Sequence, residues 1–346
     1  MANKRIYFAV YAVGVAADGS STYTPIHGLQ SVGITTTFNL EQVFEIGQVN
    51  IYENIENIPD IEVTLEKVLD GYPLIYHLAT RQGSSASLTG RSNAKCAVAM
   101  SVFDDTLDSA SGTPLTEVNM SGLYVSALTY TFPVDGNCTE SVTMVGNHKL
   151  WKSSSFTFSG SLFNNQDEPL AVTSGLGGVQ RRENVIFGGL TDTLLPGGTN
   201  GIPGISSSGT NNKTSDVFGA HVQRISVSTN LGRTNINELG RRNPYFRYVE
   251  FPVEVTTEIE VLSTNGDGIN ATEDGYITES GTNLPDSTIR VKTQDGTSLY
   301  MGTRNKLSSV SFGGADATGG NATNTYNYTS FNILTVTHPQ DPASLS

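Results

Sequence analysis

The chain has 346 residues, with 33 acidic against 20 basic side chains and a formal net charge of −13. That length supports one large or two ordinary domains with a real core. The acidic balance argues against tight nucleic-acid binding, which places Lys and Arg on phosphates. Charged residues make only 15%, and Ser, Thr, Asn and 36 Gly fill the shortfall, a composition of β-structure with many turns rather than of helix or disorder.

Cys96 and Cys138 are the only cysteines. The first 30 residues show no basic-then-apolar signal pattern, and no apolar run approaches a membrane span, so the expectation is cytosolic synthesis, reduced thiols and no membrane insertion.

In chain order, Arg5 to Val15 is an apolar β-like run closed by Asp18-Gly19. Val32 to Tyr52 forms a second extended region, with Gly47 as the turn or bulge that lets the chain double back. Ile61, Val63 and Leu65 then alternate with Glu62, Thr64 and Glu66. A short helix is predicted over Pro73 to Thr80, with Pro at its first position and Gly83 beyond its end. Ala94 to Phe103 is another strand, followed by an acidic turn at Asp104, Asp105 and Asp108. Leu123–Phe132, an Asp135-Gly136 turn and Thr139–Gly146 make the strongest hairpin signal in the chain.

Leu190 to Ser215 is dense in Gly, Pro, Ser and Asn. A loop this long is functional or disordered, and it reads as a partner-contacting arm between two halves. Val222–Thr229 and the return strand after it mirror Tyr124–Thr131 and Thr139–Val145, a candidate internal repeat. The longest patterned stretch is Val249 to Leu262: Val249, Phe251, Val253, Val255, Ile259 and Val261 share one phase, and Glu250, Glu254, Glu258 and Glu260 the other. Such a strand has a dry side and a wet, acidic side. Pro252 lacks an N–H and belongs at an edge or bulge. Outside 72–80 only 235–241 reads as a further helix, so the class is mainly β.

Chemistry finds little support. The five histidines are scattered, with no metal-ligand spacing, nucleophile elbow, P-loop or dinucleotide fingerprint. Asn265, Asp267 and Asn270 resemble half a calcium loop without its closing Glu, and a β-turn explains them better. No catalytic, cofactor-binding or metal residue is assigned, and the chain is not expected to be an enzyme. Arg181, Arg182, Arg241, Arg242 and Arg247 concentrate positive charge on an acidic protein. As groups beside acidic strands they are candidates for inter-subunit contacts, where guanidinium forks pair with carboxylates.

Six stretches together resemble the tail tube protein of bacteriophages with contractile tails. They are Gly177–Gly188, Leu195–Ile205, Ala220–Ser228, Leu231–Val261, Tyr130–Trp151 and Asp295–Gly314. The resemblance implies a β-sandwich or barrel protomer whose long hairpins join neighbouring subunits into a lumenal β-barrel, in rings, usually of six, stacked into a tube. It implies as partners the chain itself, the tail sheath, the tape-measure protein, baseplate and tail-terminator proteins, and DNA in transit. It implies a virion tail component assembled in the host cytoplasm. The chain would then divide into a β tube core over 1–150, a loop-rich connection over 151–215 and a C-terminal β region over 216–346. A bore that DNA slides through should share its sign, so Glu41, Glu45, Glu62 and Glu66 are candidate lumen residues, with Glu254, Glu258 and Glu260 as a second set. If the internal repeat is real, rings of three duplicated subunits replace rings of six. The competing readings are a virion decoration or receptor-binding protein and, third, a β-rich glycan-degrading enzyme.

Overall fold

The computed structural model describes residues 6–106, 109–158, 163, 167–188, 191–197, 201–205, 220–263, 284–313 and 321–342. Most of the expected arm, the Asn265–Asn270 turn and Asp108 lie outside the described residues. The arm's described parts are packed rather than extended: Leu194, Leu195, Ile202 and Ile205 are buried.

The fold is mainly β. The first strands are β1 (Tyr11–Ala17), β2 (Thr24–Pro25), β3 (Leu29–Thr37), β4 (Leu40–Phe44), β5 (Ile51–Glu56) and β6 (Asp60–Val68). Helices α1 (Ile75–Ala79) and α2 (Leu88–Arg91) follow, then β7 (Cys96–Val102), β8 (Thr116–Pro133), β9 (Thr139–Gly146) and β10 (His148–Lys152). After α3 (Leu170–Thr173) come β11 (Val222–Asn230), β12 (Thr234–Ile236), β13 (Phe246–Tyr248) and β14 (Glu254–Leu262). The chain closes with β15 (Arg290–Lys292), β16 (Ser298–Tyr300), β17 (Lys306–Gly313), β18 (Thr323–Phe331) and β19 (Thr335–Thr337).

Eight strands form one antiparallel sheet in the order β3-β6-β9-β8-β11-β14-β18-β17. Strand β8 runs on beyond it: its first half pairs β7 and β10, its second half β9 and β11. Gly122, at φ +64, stands where β8 passes from one set of partners to the other, a conformation glycine adopts without steric cost. Side chains alternate across the sheet. Val63, Leu65, Val142, Met144, Tyr130, Val227, Val255, Ile259 and Tyr328 line its dry face and are all buried. One core joins them to α1 and to the small sheet β15-β16-β19, through Ile75, Tyr76, Val291, Leu299 and Val336.

The eight strands fall into two halves of the same topology. Each half holds four strands that lie, by chain order within the half, as first, second, fourth, third: β3-β6-β9-β8, then β11-β14-β18-β17. The irregularities repeat as well. A bulge at Leu29/Ser31 on β3 matches one at Val222/Arg224 on β11. A bulge at Val125/Ala127 on β8 matches one at Leu307/Ser309 on β17. In each half a two-stranded hairpin, β4–β5 or β12–β13, connects the first strand to the second. The repeat suspected in the sequence is therefore present with different partners. Strands β11 and β14 answer to β3 and β6, because order in the sheet, and not the shared alternation of any two strands, defines the unit.

Three local expectations change. The patterned run at 249–262 enters the sheet only at Glu254, because Pro252 offers no donor and the Val253 N–H is taken by Asn332 Oδ1 at 2.7 Å. Helix α1 starts at Ile75, not Pro73, where the buried Glu140 carboxylate accepts the N–H groups of Ile75 (2.7 Å) and Tyr76 (3.0 Å). Residues 235–241 are not helical: β12 occupies the start and Gly240, at φ +82, turns the chain toward β13.

Candidate functional site

The wet face of the eight-stranded sheet is an ordered surface. One row of register partners crosses all eight strands: Ser31, Glu66, Ser141, Thr129, Ser228, Thr256, Thr329 and Lys306. The next row reads Thr139, Thr131, Ser226, Glu258, Asn327 and Ser309. Register partners point to the same side of a sheet, so Glu62, Glu66, Glu254, Glu258 and Glu260 share this face. The two carboxylate sets that the sequence left as alternatives are one surface, roughly 19 Å apart across four strand spacings. Cations on this face are Arg224, register partner of Glu260 and 3.4 Å from Glu258, and Lys306, 2.9 Å from Asp286. Ser and Thr hydroxyls fill most of the remaining positions, with Val145, partner of Glu62, and the exposed Phe331, partner of Glu254, as apolar exceptions, so the face is mainly polar and negative.

Glu41 and Glu45 lie elsewhere, on and just beyond β4. Among the described residues the β4–β5 pair bonds to no other strand. Its apolar side chains stand in solvent: Phe38 is 70% exposed, Phe44 61%, Ile46 104% and Val49 96%. Gly47, at φ +112, makes the turn expected of it. Strands β3 and β11 run in the same direction, so both connecting hairpins leave one end of the sheet, and Arg242 Nη2 donates to Glu56 O (3.2 Å) between them.

The base of β4–β5 is tied by a polar knot around Asp60. Its carboxylate accepts from Asn39 (2.9 Å), Asn147 (3.1 Å) and Arg247 (2.6 Å). Partial burial opposes ionisation of Asp60, but the bonds from Asn39, Arg247 and Asn147 outweigh it and hold the carboxyl below its usual range. A polar cleft of about 540 Å³ opens beside the knot, lined by Asn57, Asn235, Asn237, Arg241 and Arg242 among others.

The five arginines separate by position. Arg247 is buried and committed to Asp60 and Asn147 of its own chain. Arg241, at 3.5 Å from Glu238, and Arg242 stay on the exposed β12–β13 turn. Arg181 donates to Asn137 (3.0 Å) and Arg182 lies 3.7 Å from Asp135, both against the β8–β9 turn. Among the described residues no group of three His, Cys, Asp or Glu side chains is placed to hold a metal ion.

Lys67, Glu140 and Asp60 were missed in the sequence. For the first two the signal was visible: Lys67 continues the phase of Ile61, Val63 and Leu65, and Glu140 that of Val142 and Met144. A charge in an apolar phase marks a buried polar network.

No protein-family model matches the chain, and no curated protein matches it. Among solved structures, a chain of the cryo-EM structure of the anti-feeding prophage baseplate, 6-fold symmetrised, aligns with 44% of this chain and 99% of its own length, at 11% identity and a TM-score of 0.34. A chain of the anti-feeding prophage cap, described as a tube-terminating cap, aligns over 44% and 95%, at 12% identity and a TM-score of 0.33.

Proposed function

We propose that this chain is a structural tail protein that polymerises into stacked rings forming the inner tube of a contractile phage tail, a conduit for DNA. The observation that carries the reading is the eight-stranded sheet with one dry face and one hydroxyl-rich, acidic face. A bore lined by such a face repels phosphate through its carboxylates, and its cations Arg224 and Lys306 each lie beside a carboxylate, so a polyanion passes without sticking. Glu62, Glu66, Glu254, Glu258 and Glu260 line the bore in this reading. Closing the sheet into a ring also removes the edges that would otherwise aggregate.

Each chain already carries two four-strand units, so three chains supply the six units of a six-unit ring. The hairpins β4–β5 and β12–β13, leaving one end of the sheet, contact the next ring, with Glu41, Glu45, Arg241 and Arg242 at that contact. The tail sheath then packs outside, the tape-measure protein occupies the bore during assembly, and baseplate and terminator proteins meet the two ends.

Electron microscopy of the purified protein at high concentration tests this. The expected result is hollow tubes with an end-on symmetry of three and a pseudo-symmetry of six. Tubes of Glu258→Lys/Glu260→Lys should retain short duplex DNA at low salt where wild-type tubes do not. Discrete trimers or particles without a bore would sink the reading in favour of a decoration or receptor-binding protein.

A further inference from the structure

Within one chain the two four-strand units are joined by the seam between β8 and β11, where Thr129 faces Ser228 and Tyr130 faces Val227. The outer edges of the eight-stranded sheet are β17, the counterpart of β8, and β3, the counterpart of β11. Neither has a second strand neighbour among the described residues. The matched bulges align the two halves residue by residue: Lys306, Leu307 and Ser309 stand for Tyr124, Val125 and Ala127, and Leu29 and Ser31 stand for Val222 and Arg224.

We propose that β17 of one copy pairs antiparallel with β3 of the next, in the register of the internal β8–β11 seam. The register follows by substitution: Ser309 faces the next copy's Thr37, Val310 its Thr36, Ser311 its Thr35, Phe312 its Ile34, and Gly313 its Gly33.

Burial supports a second copy as the occupant. Tyr130, on the internal seam, is 0% exposed, whereas its counterpart Phe312 is 62% exposed. Leu128 is buried, whereas its counterpart Val310 is half-buried. The side chains that the internal seam covers are uncovered at the outer edge, in the same phase. The facing strand supplies Ile34, counterpart of the buried Val227, and Gly33, where another backbone can approach closely. The contact is heterologous, edge to opposite edge, so repetition closes a ring when the rotation permits and never saturates as an isolated dimer.

This inference rests on the proposed self-assembly, and its test separates the two. Ser311→Cys/Thr35→Cys places a thiol pair at predicted register partners on the wet face, where directly opposed Cβ atoms lie about 4.5–5.5 Å apart. The native Cys96 and Cys138 are buried and do not compete. Thr129→Cys/Ser228→Cys, at the equivalent internal pair, shows whether this geometry admits a disulfide. Ser311→Cys/Thr37→Cys is out of register by two residues, about 7 Å.

Mild oxidation of assembled protein should link the in-register pair between chains at roughly tenfold the yield of the out-of-register pair, giving a ladder that ends at one closed species. Phe312→Asp, at a side chain exposed in the single copy, should leave the melting temperature unchanged and abolish assembly. Preferential linking of the out-of-register pair, or normal assembly of Phe312→Asp, overturns the seam while leaving self-assembly intact. A wild-type protein that never associates overturns the proposed function itself.

Discussion

Lys67 and Glu140 face each other as register partners on β6 and β9, and both are fully buried on the dry side of the sheet. The ammonium of Lys67 donates to Asp70 Oδ1 (3.0 Å) and to the carbonyls of Tyr72 (3.3 Å) and Pro73 (3.1 Å). Glu140 accepts from the N–H groups of Ile75 and Tyr76 and from Tyr130 Oη (2.9 Å). Together they hold 70–76, the turn that delivers the chain from the sheet into α1. Their counterparts in the second half, Val261 and Asn324, carry no charge. The charged pair therefore serves the turn into α1, whose carbonyls and N–H groups it binds.

Lys67→Met should destabilise the protomer by about 3–5 kcal/mol, because two buried carboxylates lose their compensating cation. Lys67→Met/Asp70→Asn should recover part of that loss. Urea unfolding measures both, and a loss below about 1 kcal/mol for the single change would show the network to be dispensable.

Acid should loosen the C-terminal segment first. His77 is buried beneath it and His338 within it, and desolvation pushes both imidazoles down to about 4; Asp341 opposes this at His77, where Arg91 reinforces it, and Asp295 opposes it at His338. His77 Nε2 meets Val336 O at 3.1 Å. Unfolded histidine titrates near 6.5, so their contribution is complete above that value and is lost as the pH falls toward 4. The melting temperature should decline across that window, with proteolysis appearing near 335–342. In His77→Gln/His338→Gln the decline should flatten. The Asp60 knot has a depressed carboxyl, so its contribution persists to lower pH and falls only below the ordinary carboxylate range.

Arg247→Ala should free the base of the β4–β5 hairpin. It removes one charged donor from Asp60 and one bond from Asn147, at a cost of about 1–3 kcal/mol. Amide exchange over 38–57 should accelerate well beyond that of β3 and β6. Equal acceleration everywhere would mean that the knot supports the whole sheet and not this hairpin.

Replacing residues 40–56 by Asn-Gly should leave the protomer folded, since Thr37 and Asp60 remain paired and the excised side chains are largely exposed. Its melting temperature should stay within about 4 °C of wild type. Microscopy should show single rings without long tubes. Full-length tubes would remove the hairpin from the stacking contact.

Local chemistry alone determined much of this protein. Alternation in Ile61–Glu66 and Glu254–Val261 fixed a dry and a wet side for each strand, Gly47 and Asp135-Gly136 marked two hairpin turns, and the carboxylates of those two strands fell in the wet phase. Those features depend on a side-chain period of two and on backbone preferences of single residues, which neighbours in sequence suffice to set. Only the tertiary structure decided that β6 and β14 belong to one sheet, so that both glutamate sets share a face. It alone decided that Arg247 turns inward to Asp60, that the run from Val249 enters the sheet only at Glu254, and that the repeat unit is four strands in a particular order. Those outcomes hang on pairing between segments far apart in the chain. Many alternating strands could exchange places with equal local fit, and burial of Lys67, Glu140 and their partners in one core selects among them.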